Sequence, residues 1–221
     1  MFTLAILIGI YSYLIFALGL PGILYRPIVI LLTLAYLVIS IYTYKNFLRS
    51  VFFRLHKFVF SGGPPRRSPF GHLRGASLVG LLLILLILQA IVNIIGALGP
   101  ELGFDALWYH LTIPKLYLEN HSVFFIPGGL LYYSAMPKLT EMLYVAALAL
   151  NGEILAKLIH FSFGILTCIA LYKLSREFFS SKISLVAVIV FYSNLVVGWQ
   201  SITAYVDLAR TFFEIMALWG F

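Results

Sequence analysis

Apolar residues run along this chain in long unbroken blocks rather than in alternation. The first block extends from about Phe2 to Leu20 and closes on Pro21-Gly22, a turn signal; the second runs from about Ile28 to Tyr44. A third covers about Ala76 to Ile95, a fourth about Ile154 to Tyr172 and a fifth about Ile183 to Trp199. Each has the roughly 20 apolar residues that a helix needs to cross a bilayer. Hydrocarbon forces the backbone to satisfy its own hydrogen bonds, so spanning segments are helices or closed barrels. Continuous apolar runs, not period-two alternation, exclude the barrel. The pattern therefore predicts an all-α fold, a polytopic bundle of transmembrane helices.

Between these blocks the pattern changes character. From Lys45 to Arg74 come Lys45, Arg49, Arg54, Lys57, Arg66, Arg67 and Arg74 without one acidic residue. In KNFLRSVFFRLHKFVF, Leu48, Val51, Phe52, Leu55 and Val59 share one helical face, which predicts a helix lying on the bilayer surface. Ser61-Gly62-Gly63-Pro64-Pro65 should break it. Residues 99–137 are aromatic, polar and amphipathic and predict a large loop with interfacial helices. Lys138 to Leu150 is helical but too short to span alone. A sixth helix begins near Tyr205 and is still running at Phe221, which predicts an N-terminal portion of a longer protein.

Composition agrees with a membrane solvent: 62% of residues are hydrophobic and 10% charged, against about 25% charged in soluble domains. The net charge of +7 does not point to nucleic acid, because nearly half of the basic residues occupy the segment 45–75. Short Lys/Arg-rich loops stay in the cytoplasm. With that loop inside, the N-terminus is cytoplasmic, Lys173 to Lys182 is also inside, and 99–137 and 200–207 face outward. A cleaved leader is not expected, since the first residues lack the positive charge such peptides carry. The expected location is the cell membrane, multi-pass, with the active face extracytoplasmic. The lone Cys168 permits no internal disulfide.

Candidate chemistry lies in two of the outward segments. In GPELGFDALWYHLTIPKLYLENHS, Trp108, Tyr109 and Thr112 stand at i+3, i+4 and i+7 from Asp105, one α-helical face. A carboxylate on an aromatic ledge suits sugar binding and base catalysis; interfacial aromatic belts offer the plainer explanation of the rings alone. In SITAYVDLARTFFEIMAL, Asp207, Arg210 and Glu214 form one stripe of an apolar helix, where charged groups are functional or paired. An Asp207–Arg210 pair is the plain alternative. Asp105 and Asp207 emerge on the same side, so one can accept a proton while a cation stabilises a departing phosphate. Two carboxylates and water also suit Mg²⁺ or Mn²⁺. Glu153, Lys157 and His160 share a face of the fourth span, predicting a Glu153–Lys157 pair or a lysine that contacts a lipid phosphate. Glu141 is expected to cap its helix or pair with Lys138. His110 and His121 lack the spacing of a zinc site, and no nucleotide-binding loop or nucleophile elbow occurs.

FDALWYHLTIPKLYLENHSV, MPKLTEMLYVAALALNGEILAKLIH and AYVDLA resemble the polytopic glycosyltransferases of the GT-C superfamily, in particular those related to protein mannosyltransferases and aminoarabinose transferases. The likeness spans about Gly99 to Leu218. It implies transfer of a sugar from a polyprenyl-phosphate carrier to an extracytoplasmic acceptor, usually with inversion. It places Asp105 at the reaction centre as base or metal ligand and Asp207 at the second acidic position. Arg210 and Lys157 would hold the carrier phosphate, while Trp108, Tyr109 and His110 are the candidate substrate contacts. Relatives are longer, and some carry an acidic pair where this chain has Asp105 alone. Two other readings of the residues are a transporter or flippase of a lipid-linked substrate, with Asp207, Arg210 and Lys157 lining its path, and a non-catalytic membrane scaffold.

Overall fold

A computed structural model describes residues 1–60 and 73–221; the side chains of 44, 46–60 and 73–79 lie outside that description. The described secondary structure is helical, and four helices are long and apolar enough to cross a membrane. They are α1 (Phe2–Gly19), α2 (Arg26–Phe60), α3 (Leu73–Leu98) and α6 (Glu153–Phe178). Leu31, Val38 and Tyr42 on α2 and Ile95 on α3 are each more than 60% exposed. Large apolar side chains pointing outward at this density fit hydrocarbon rather than water. The chain is built for a lipid bilayer.

The helix α2 departs from the expected pair of elements. It is helical without interruption from Arg26 to Phe60, 35 residues or about 52 Å, longer than the ~30 Å hydrocarbon core. The predicted surface helix is thus the continuation of the second span. Its amphipathic face and the break at 61–65 lie outside the described residues.

After α3 come a π-helical turn (Ala106–His110), α4 (Thr112–Glu119), a 3₁₀ turn (Tyr132–Ala135) and α5 (Leu139–Leu150). Nine of the twelve α5 residues are buried, and α5 packs against α1, α2, α4 and α6. A helix of about 18 Å that is covered on nearly all sides is the internal pillar of the bundle. Ile15, Ile113, Tyr117, Met142 and Val145 form the core on its outer side, while Ala5, Leu143, Phe163, Leu208 and Phe212 form a second core across α1, α5, α6 and α9.

The fifth apolar block is divided rather than continuous. It folds as α7 (Ser181–Tyr192) and α8 (Leu195–Gln200), because the Asn194 side chain accepts a hydrogen bond from the Val196 amide at 2.9 Å. That local bond offers the backbone an N-cap in place of a continued helix. The last helix, α9 (Asp207–Gly220), starts two residues later than expected and packs chiefly on α6.

Candidate functional site

The segment that carries Asp105 folds differently from an α-helix, and Pro114 supplies the reason. Proline lacks an amide hydrogen and its ring collides with the carbonyl four residues back, here that of His110. The preceding turn widens: the Leu111 amide bonds to the Ala106 carbonyl at 2.9 Å, and the Thr112 hydroxyl takes the Leu107 carbonyl at 2.5 Å. The α-helical face expected for Asp105, Trp108, Tyr109 and Thr112 is therefore replaced by a π-helical one, a geometry frequent at functional sites.

Aromatic rings still gather beside Asp105. Tyr109 stacks on Tyr133 at 3.9 Å between centroids, Tyr133 stacks on Tyr132 at 4.1 Å, and Trp108 meets Tyr133 edge-on at 5.3 Å. Burial first, and then the Asp105 carboxylate, push the Tyr109 phenol well above its ordinary pKa, so it remains a donor at neutral pH. His110 does not point into this shelf as a substrate contact. It is buried, and its Nδ1 lies 3.1 Å from Oε1 of the equally buried Glu141. The pairing ties the π-helical turn to α5, and corrects the expectation that Glu141 pairs with Lys138.

Asp207 approaches the same place by way of Tyr205. The Asp105 amide donates to the Tyr205 hydroxyl at 3.3 Å. Burial raises the pKa of that phenol, and the carboxylates of Asp105, Glu101 and Asp207 all add to the shift. The Asp105 backbone thus touches Tyr205, two residues before Asp207; Asp105 is half-buried and Asp207 exposed.

What holds the two segments together is Glu101, which the sequence did not mark. This carboxylate is 5% exposed. Its Oε1 accepts from the Leu102 and Gly103 amides at 2.9 and 2.7 Å, and its Oε2 from the Ala204 amide at 2.7 Å. A Cβ at Gly103 would sit 3.0 Å from both Glu101 Oε1 and the Tyr205 ring, so a larger residue there would push this tight approach apart. From below, the Tyr144 hydroxyl donates to the Tyr205 carbonyl. His160 Nδ1 lies 2.9 Å from the carbonyls of Gln200 and Thr203, while its Nε2 accepts from the Leu208 amide at 3.1 Å. Donation at one nitrogen and acceptance at the other define a neutral imidazole. Leu208 is in the first turn of α9, so His160 satisfies one of the orphan amides of that helix.

Both expected phosphate-binding cations have partners of their own. Lys157 is 1% exposed, and its Nζ donates to the carbonyls of Gly96, Gly99 and Pro100 at 3.1, 2.8 and 2.9 Å. An ammonium has three protons, and all are used to cap the C-terminal end of α3. It neither pairs with Glu153 nor has a proton left for a phosphate. Arg210 is exposed and pairs through Nε with Glu214 Oε1 at 2.6 Å, not with Asp207.

Lys138, expected only as a partner for Glu141, is a further buried cation, at the start of α5. A cavity of about 540 Å³ lies between α1, the 123–137 segment and the start of α5. Its wall includes Tyr13, Phe16, Phe124 and Met142, with Ser12, Ser134 and Lys138 among its polar members. Lys138 is 9% exposed, and its Nζ donates to the Tyr133 carbonyl. Among the described residues no carboxylate lies within 4 Å of it. Burial lowers its pKa, partly offset by Glu141. It also occupies the N-cap of α5, whose first turn has no side-chain cap, so the positive end of that helix adds to the ammonium.

As donors for Mg²⁺ or Mn²⁺, Asp105 and Asp207 stand without a third: among the described residues, no three His, Cys, Asp or Glu side chains cluster. A hard cation bound there would complete its shell with phosphate oxygens and water. No protein-family model, curated protein or solved structure matches the chain.

Proposed function

We propose that this chain is a membrane glycosyltransferase of the GT-C kind, which moves a sugar from a polyprenyl-phosphate carrier to an acceptor hydroxyl at the outer membrane surface. One observation carries the reading. The buried Lys138 ammonium, in a cavity with an apolar wall, hydrogen-bonds the backbone of Tyr133, and the Tyr133 ring stacks on Tyr109 beside Asp105. The carrier phosphate would meet Lys138, the sugar the aromatic shelf and the acceptor Asp105, with Tyr133 linking the first two.

In this mechanism the isoprenoid chain stays in apolar surroundings while Lys138 and the N-terminus of α5 hold the phosphate. The sugar lies against Tyr109, Trp108 and Tyr133. Asp105 accepts the proton of the acceptor hydroxyl as its oxygen bonds to the anomeric carbon. The bond from that carbon to the phosphate oxygen breaks, and the electron pair leaves with the phosphate, whose charge Lys138 stabilises. Attack opposite to departure inverts the anomeric centre. The Tyr109 phenol stays protonated and donates to the sugar or to Asp105. Asp207, at the first position of α9, orients the acceptor. A transport path lined by Asp207, Arg210 and Lys157 is less well served, because Arg210 is paired with Glu214 and Lys157 is saturated.

The test is transfer in proteoliposomes from a panel of polyprenyl-phosphate sugars, with membrane extract as acceptor. Asp105→Asn should lower the rate by roughly 10²-fold or more while the protein remains folded. An unchanged rate removes Asp105 from the chemistry. Absence of transfer by the wild type from every sugar in the panel removes the reading.

A further inference from the structure

A second cavity, of about 430 Å³, lies between helices away from both aspartates and opens outward, with Leu37, Ile41 and Ser162 on its wall exposed. Four helices line it: α1 with Leu7 and Tyr11, α2 with Thr33 and Ser40, α6 with Ser162 and Leu166, and α5 with Leu143. The volume is in the range of small-molecule sites, and an apolar cavity does not hold ordered water. Two tyrosines act as struts between α1 and α2: the Tyr36 hydroxyl donates to the Leu7 carbonyl at 2.7 Å, and the Tyr11 and Thr33 hydroxyls bond at 2.5 Å. The slot is therefore braced at the width of a phenol ring.

One polar atom on its wall has no partner. Thr33 and Thr43 of α2 return their hydroxyls to the carbonyls of Val29 and Ile39, at 2.6 and 2.8 Å, as helical Ser and Thr ordinarily do. Ser40 does not: its Oγ is buried and bonds to nothing among the described residues. Past the slot, α2 and α6 each carry a cation. Lys45 stands five residues past Ser40 on α2, about 7.5 Å along the axis, and is exposed over the Tyr42 ring at 4.2 Å. Lys173 stands seven residues past Leu166 on the same face of α6. Neither has a carboxylate within 4 Å among the described residues.

We propose that this slot binds one anionic phospholipid from the leaflet next to Lys45. One acyl chain fills the space between α1, α2 and α6, its ester oxygen meets the Ser40 hydroxyl, and its phosphate lies between Lys45 and Lys173. The lipid fills the gap that the tyrosine struts leave between these helices, and it is separate from any carrier at Lys138.

The experiment is native mass spectrometry of the purified protein, followed by thermal unfolding of delipidated protein with phosphatidylglycerol or phosphatidylcholine. The wild type should retain about one anionic phospholipid. Phosphatidylglycerol at a hundredfold excess over Kd should raise Tm by about 5–11 °C, and phosphatidylcholine by less than half of that. Ser162→Phe, which fills the slot, should lose the retained lipid and the gain. Lys45→Glu with Lys173→Glu should keep a chain but lose the preference between headgroups. Equal gains from both lipids in the wild type, or a gain undiminished in Ser162→Phe, overturns the proposal. A retained isoprenoid in place of a phospholipid overturns it as well.

Discussion

Lys138 and Lys157 are both buried lysines, yet they do opposite things. Lys157 fills the carbonyl end of α3 with all its protons, whereas Lys138 has protons to spare and a cavity in front of it. Lys157→Met should destabilise the fold by about 2–4 kcal/mol, since it strands three buried carbonyls; chemical unfolding in detergent measures this. Lys138→Met should stay within about 1 kcal/mol of wild type, because losing one bond is offset by removing a desolvated charge. The sign of the pH effect follows from the lowered pKa of Lys138. Between its folded value and 10.5, the unfolded chain binds more protons, so stability rises with pH across that window. Affinity for a lipid phosphate needs the ammonium and falls over the same window, earlier than for an exposed lysine. Titrating carrier affinity from pH 7 to 10.5 checks this; a flat profile contradicts it. Neither lysine's role was legible in the sequence. Spacing along one helix pairs Glu153 with Lys157, but the carbonyls that claim Lys157 lie about sixty residues earlier.

At the scale of elements, the apolar blocks announced α1, α3 and α6 because a bilayer dictates their length and composition. The short α5 was legible as a helix, though not as the buried pillar, since burial depends on which neighbours surround it. Two local interruptions defeated periodicity: Pro114 widens the turn before it, and Asn194 caps α8 inside an apolar block. Glu101 was invisible for a different reason, as its three partners are backbone amides and two of them are its own neighbours. It is a positioning residue, joining the Asp105 segment to the start of α9. Glu101→Gln turns one acceptor into a donor against the Ala204 amide. It should destabilise the fold by about 1.5–3 kcal/mol. Transfer should also fall through misplacement of Asp207, and Glu101→Asp should restore only part of either. Full activity in a protein destabilised by Glu101→Gln would show that the Asp207 segment does not need this staple.

Viewed whole, the molecule is an α-helical bundle for a bilayer, with its loops pinned from inside by Tyr144, His160 and Glu101. The pattern of apolar blocks was enough for the all-α fold, while the gathering of Asp105, Tyr205 and Asp207 depends on contacts about a hundred residues apart. The proposed transfer requires a lipid phosphate seated at Lys138. Equilibrium binding of sugar-free polyprenyl phosphate to reconstituted protein tests that without knowledge of sugar or acceptor. Lys138→Met should weaken binding by about 10–100-fold, the equivalent of one charge-assisted contact, while Asp105→Asn binds like wild type. Equal affinity in wild type and Lys138→Met would contradict the account.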